Sequence, residues 1–209
     1  MVFLLVISDG RPQMEVATAG KEGIIGASEV SQRQGAMGLN RIQIPGAAVQ
    51  IDAGASRKIL KSRVQKLIDQ HLYALMRQIL HGAACNRLHS MEERCAPWLL
   101  MTHDRAGRDT FPLTQEFLSH LLGVRRATVN VATGIFKKAG FIRYVLGNLT
   151  VIDRGLKSAA CECDWDFVRV YDSVLSNPLK PELQFSTYSA TVYVYECSER
   201  WLTYKLFSC

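Results

Sequence analysis

Arg126, Asn130 and Lys137 fall on one side of a helical repeat, with Ala127 and Val131 beside them. These side chains can read the edges of stacked base pairs. Arg can donate two hydrogen bonds to guanine, Asn can pair bidentately with adenine, and Ala or Val can touch a thymine methyl. Each good contact of this kind contributes roughly 1–3 kcal/mol of discrimination between bases. Arg126, Ala127, Asn130 and Val131 therefore form the candidate base-reading set. Thr114, Arg125, Thr128 and Lys137 suit phosphates, which fix a protein's register on a duplex without reporting its sequence. The surrounding charge agrees. Residues 123–157 carry seven basic side chains (Arg125, Arg126, Lys137, Lys138, Arg143, Arg154, Lys157) against one acid, Asp153.

The elements needed to hold such a stripe are legible around it. Thr114 is placed to cap a short helix whose buried face is Phe117, Leu118, Leu121 and Leu122. Gly123 follows, and without a Cβ it tolerates the positive φ of a tight turn. A second helix starts at Arg125 or Arg126; Val129, Ala132, Phe136 and Ala139 recur at threes and fours and point inward, and Gly140 stands where a C-cap glycine belongs. FIRYVLGNLTVID then reads as a hairpin turning near Gly147-Asn148, which would bring Arg143, Tyr144 and Asn148 towards the backbone beside the groove. Helix, glycine turn, basic helix and hairpin in that order predict a winged helix-turn-helix. The competing reading is a solvated amphipathic helix beside an ordinary hairpin.

The rest of the chain divides by texture. Residues 1–55 hold short apolar runs broken by glycine-containing turns, with MVFLLVI, MEVATA and LNRIQI as the best strands. From Ser56 to Gly82 the apolar residues recur with helical spacing. Leu60, Val64, Leu67, Ile68, Leu75 and Ile79 make one stripe, which can be either a seam to a twin helix or the core of a monomer. A second helix is expected from Ala84 to Thr102, burying Leu88, Met91, Cys95, Trp98 and Leu99, with Pro97 inside to kink or shorten it. After the DNA-binding unit, 83–157, comes an extension, 158–209. Beyond Asp153, GLKSAACECDWDFVRVYDSVL reads as a helix, and TVYVYE in the extension alternates like a strand. The fold class is α+β.

Composition bounds the alternatives. The net charge of +6 suits a polyanionic partner, and the apolar content of the 209 residues is enough for a real core. Six cysteines are too few and too irregular for a secreted disulfide scaffold. MVFLLVI is too short to span a membrane, so a cytoplasmic protein without membrane attachment is expected. Cys161 and Cys163 are the one close thiol pair; with no second pair or nearby His in the sequence to complete a set, no metal is expected. His71 lies along the long helix, where a dimer seam would make it pH-sensitive. No nucleophile elbow is present, and GKEGIIG lacks the Lys-Ser/Thr ending of a phosphate loop, so an enzyme is not expected.

The run from CNRLHSMEERCAPWLLMTHDRAGRDTF through LTQEFLSHLLGVRRATVNVATGIFKKAGFIRYVLGNLTVID resembles the C-terminal domain of bacterial Crp/Fnr-type transcription regulators. The long helix before it is similar to that family's dimerisation helix, and MEVATAGKEGIIG is similar to part of its cyclic-nucleotide-binding-like N-terminal β-roll. The resemblance spans about residues 12–165. It implies a partial β-roll (1–55), a dimerisation helix (56–82) and a winged helix-turn-helix (83–157). It also implies a homodimer on double-stranded DNA, with RNA polymerase as a further partner. Departures accompany it. Where family members carry an Arg-Glu pair and a later Arg, Arg126 matches the first position but Ala127 and Val131 occupy the others, which implies a different operator. The Gly-Glu and Arg-Ser/Thr-Ala groups that grip a cyclic nucleotide are not visible, so no cofactor is expected. The alternative from another class is a protein-interaction module, or a degenerate regulator that has lost effector and operator.

Overall fold

The computed structural model describes residues 2–6, 14–20, 23–26, 39–50, 63–163 and 191–195. Strands β1 (Val2–Val6), β2 (Met14–Ala19) and β3 (Leu39–Ile42) form an antiparallel sheet in the order β2-β1-β3, with a register shift at Leu4/Leu5. A separate antiparallel pair joins β4 (Gly46–Gln50) to β8 (Thr191–Tyr195). The alternating tail segment is thus a strand, and its partner comes from the N-terminal region. The remainder of the expected C-terminal helix, beyond Cys163, lies outside the described residues.

The long helix α1 runs from Arg63 to Leu88 and packs on β2; α2 runs from Met91 to Ala106. Gly82 was expected to end the first helix, yet the helix passes through it, and the break falls at His89-Ser90 instead. The reason is a capping box. Ser90 Oγ accepts from the Glu93 amide, and the Glu93 carboxylate accepts from the Ser90 amide. Leu88, expected inside, is consequently an exposed last-turn residue.

Pro97 does not shorten α2, which continues to a left-handed Gly107 cap. Proline removes the donor that would bond the carbonyl of Glu93. That carbonyl accepts from the Cys161 amide at 3.0 Å instead.

The rest of the domain is built on α2. Strand β5 (Thr110–Pro112) leads to α3 (Gln115–Leu121) and α4 (Arg126–Lys138). The hairpin β6 (Ile142–Val145) and β7 (Asn148–Val151) follows, then a 3-10 turn (Arg154–Ala159). The sheet order is β5-β7-β6. Leu99, Phe111, Leu118, Phe136 and Leu149 are fully buried at the centre of one apolar core shared by these elements. The molecule is α+β, with a winged helix-turn-helix as predicted.

Two parts of the long-helix reading change. Ile68 and Leu75 are 5% and 8% exposed within the single chain, because this stripe is covered by the protomer's own N-terminal strands. They cannot line a seam to a twin. His71 is also buried, accepting from the Ile24 amide at 3.3 Å, and does not face outward. Ile79 is exposed; Leu60 and the side chains of Val64 and Leu67 lie outside the described residues.

Candidate nucleic-acid interface

Helix α3 begins at Thr114, whose hydroxyl accepts from the Phe117 amide at 3.1 Å, and ends at a turn closed by Gly123 with φ +64°. A side chain at Gly123 would be strained by its backbone and would also displace the flexible Met14 side chain. The φ is left-handed, and an added Cβ would lie 2.7 Å from Met14 Sδ on β2. Arg94 on α2 donates to the Leu122 carbonyl at 3.1 Å, which fixes the turn to the helix beneath it. The two helices of the motif are thus held by a backbone turn and a side-chain strut.

Helix α4 then sorts its residues by periodicity. Val129, Ala132, Thr133 and Phe136 are buried, and Thr133 returns its hydroxyl to the Val129 carbonyl. On the other side Arg126, Ala127, Asn130 and Val131 are all exposed, and Lys137 and Lys138 extend the same face at the helix end. Basic residues in the last turn also complement the helix dipole. The candidate base-reading residues therefore share one solvent-facing stripe, with Gly134 in its middle. The phosphate candidates Arg125, Thr128, Arg143 and Asn148 are likewise exposed around it. Arg125 is the N-cap residue of α4 and makes no side-chain cap, so its guanidinium is not spent on the helix.

Tyr144 and Arg154 have internal duties that the sequence did not show, and Thr114 has the capping duty that it did. The Tyr144 hydroxyl donates to the Leu113 carbonyl, and burial pushes its pKa up to about 12, although nearby Arg126 pulls the other way. Tyr144 is thus a staple between the wing and the approach to α3 rather than an open phosphate ligand. Thr114 spends its side-chain oxygen as a helix cap. Arg154, one of the seven basic residues, forms a two-pronged ion pair with Asp104, its second contact at 3.2 Å. Of the other six, Arg125, Arg126, Lys137, Lys138 and Arg143 lie on or beside α4 and the wing, and Lys157 lies on the 3-10 turn.

The wing turn sits one residue earlier than expected, at Leu146-Gly147, with φ of +48° and +77°. Two consecutive positive φ values are the pattern of a type I′ hairpin turn. Its first position holds an almost fully exposed leucine.

At the opposite end of α2 the fold collects Cys85, His89, Cys161 and Cys163, which the sequence had left as a pair without partners. Cys85 and His89 stand one helical turn apart. That spacing and the Cys161–Cys163 pair were the local signals available in the sequence, and more than seventy residues separate the two. Among the described residues no helix is long and apolar enough to cross a membrane.

Residues 93–156 match the family model of the Crp-like helix-turn-helix domain. No curated protein matches the sequence. Among solved structures, a Crp-family transcriptional regulator from Thermus thermophilus aligns over 76% of this chain and 83% of its own, at 17% identity and a TM-score of 0.57. A second Thermus thermophilus regulator, of the Crp/Fnr family, covers 76% and 82% at 17% identity and a TM-score of 0.56. A proposed Crp/Fnr-family regulator from Eubacterium rectale covers 76% of both chains at 15% identity and a TM-score of 0.53. Residues 93–156 are thus similar to the Crp-like helix-turn-helix domain, and the chain shares its fold with these solved structures.

Proposed function

We propose that this protein is a sequence-specific DNA-binding transcription regulator that acts as a homodimer, with α4 in the major groove. One observation carries the reading: Arg126, Ala127, Asn130 and Val131 form a single exposed stripe on a helix whose opposite face is locked into the core. An anchored helix with a donor-bearing outer face is the recognition unit of this architecture. Arg126 and Asn130 read bases, Ala127 and Val131 meet thymine methyls, and Arg125, Thr128, Lys137 and Arg143 hold phosphates.

The dimer surface we assign to α1 is the exposed apolar stripe of Tyr73, Met76, Ile79 and Leu80. These residues recur at threes and fours, as a helix–helix seam requires. Two copies joined there would present two α4 helices to half-sites about one helical turn apart. Promoter DNA in the cytoplasm, beside RNA polymerase, is where such a dimer would work.

Selection of the full chain against a random duplex pool tests this reading. Enrichment of a motif with two related half-sites is the expected result. A pool that stays random after repeated rounds would sink it, and would favour a fold retained for protein contacts alone.

A further inference from the structure

Cys85 and His89 lie on the last turn and edge of α1, and Cys161 and Cys163 flank a turn at Glu162 beyond the wing. The four ligand atoms all fall within 4.8 Å of one another. Cys85 Sγ and Cys161 Sγ are 3.9 Å apart, and His89 Nε2 is 3.1 Å from Cys163 Sγ. A disulfide needs sulfurs at about 2.05 Å, so the Cys85–Cys161 spacing is not that of a covalent pair. Zinc–sulfur bonds of about 2.3 Å in a tetrahedron place sulfurs about 3.8 Å apart, close to the observed separation. The histidine edge closes at about 3.6 Å by the same geometry, a shift within reach of one side-chain rotation.

We propose that Cys85, His89, Cys161 and Cys163 form a tetrahedral Cys3His site for a zinc-type divalent cation. This site is separate from the DNA surface and does not depend on that reading. Three soft thiolates and one imidazole are the donor set that selects zinc over hard cations. With four protein ligands the site is closed, as structural zinc sites are.

The surroundings are built to hold it. The Cys161 amide is already fixed to the Glu93 carbonyl at 3.0 Å, and the Glu93 carboxylate stands 3.8 Å from the outer nitrogen of His89. At 3.8 Å this is longer than a hydrogen bond, and closing it would give the carboxylate–imidazole pairing that commonly orients a ligating ring. Cys85 and Cys161 are buried, while His89 and Cys163 reach the surface, which leaves a path for the ion. Binding releases thiol protons to solvent and forms three metal–sulfur bonds and one metal–nitrogen bond, with no change of oxidation state. The ion would join the end of α1 to the segment after the wing, across the α1–α2 junction. It would thereby fix the angle at which the long helix meets the DNA-binding domain.

The test uses the full chain without a polyhistidine tag, purified under reducing conditions. Elemental analysis is expected to find one zinc per chain. After exchange with cobalt(II), intense visible ligand-field bands and a near-ultraviolet thiolate charge-transfer band report a tetrahedral thiolate site. Cys163→Ser, at a surface-reaching position, should lower zinc affinity at least tenfold and weaken the charge-transfer band. Cys95→Ser, in the core outside the cluster, should leave the cobalt spectrum unchanged. A parent protein with no stoichiometric zinc and no tetrahedral cobalt spectrum overturns the proposal. So does a Cys163→Ser variant with the parent's affinity and spectrum, or stoichiometric inorganic sulfide with iron, which would mean a cluster instead of a single ion.

Discussion

The Cys161 amide donates to the Glu93 carbonyl at 3.0 Å, filling the place that Pro97 leaves empty inside α2. A proline at a helix interior ordinarily costs about 3 kcal/mol, partly through the orphaned carbonyl one turn back. Here a residue far along the chain, beyond the wing, supplies the missing donor. Pro97→Ala should therefore raise unfolding free energy by well under the about 3 kcal/mol of the propensity scale, and denaturant titration reads this directly. A gain near the full value would show that the Cys161 bond compensates nothing.

On α4, Arg126 and its neighbour Arg125 should fail differently. Arg126→Ala removes a base-edge donor, so binding to the selected operator should fall by roughly 1–3 kcal/mol while preference at one base pair relaxes. Arg125→Ala removes the proposed phosphate contact. Its affinity should fall alike on operator and unrelated duplex, with the slope of log affinity against log salt reduced by about 1. Titrations at several salt concentrations distinguish the two; identical behaviour of both variants would refute the assignment.

The legibility of α4 and the illegibility of α1 have one physical cause. A 3.6-residue period reveals which stripe is buried but not whose surface buries it. On α4 the polar and apolar stripes differ in chemistry, so Val129 and Phe136 inside imply Arg126 and Asn130 outside. On α1 both stripes are apolar. Ile68 and Leu75 are covered by the protomer, while Tyr73, Met76 and Leu80 are not, and only the packing of β2 separates the two sets. The Tyr144 hydroxyl on the Leu113 carbonyl and the meeting of Cys85 with Cys161 are long-range for the same reason. No local spacing records a contact across 31 or 76 positions.

The two stripes of α1 predict opposite phenotypes. Leu80→Glu places a charge on the exposed stripe, so the proposed dimer should dissociate to a folded monomer in light scattering at micromolar concentration. Ile68→Ala instead removes protomer core and should cost about 2–5 kcal/mol of stability. A Leu80→Glu protein that remains dimeric would place the seam elsewhere.

At the wing tip, Leu146 adopts φ +48° with 96% of its surface exposed. A left-handed conformation costs a β-carbon residue about 1–2 kcal/mol, and nothing buried offsets it at this side chain. Asn-Gly is the preferred pair for this turn. Leu146→Asn should raise stability by about 1 kcal/mol, measured as an upward shift in thermal midpoint; an unchanged or lower midpoint would mean that the leucine is held by a contact of its own.

Glu15 on β2 and Trp98 on α2 meet through a 2.8 Å hydrogen bond from the indole N–H to a carboxyl oxygen. Burial raises the Glu15 pKa to about 8, against the opposing pull of the Trp98 N–H and of Arg105, which itself donates to Thr18 on β2. The folded state thus holds the proton more tightly than the unfolded chain, whose carboxyl titrates at 4.5. The stabilising contribution of this proton is complete below that value, declines as pH rises towards about 8, and is lost above it. Glu15→Gln keeps an acceptor for Trp98 and removes the titration. Urea unfolding from about pH 5 to about pH 9 should show the parent losing stability across the range while the variant's profile is flatter. Parallel profiles would mean that the carboxyl is ionised at neutral pH, and that the junction between the N-terminal sheet and the helix-turn-helix domain is not proton-dependent through Glu15.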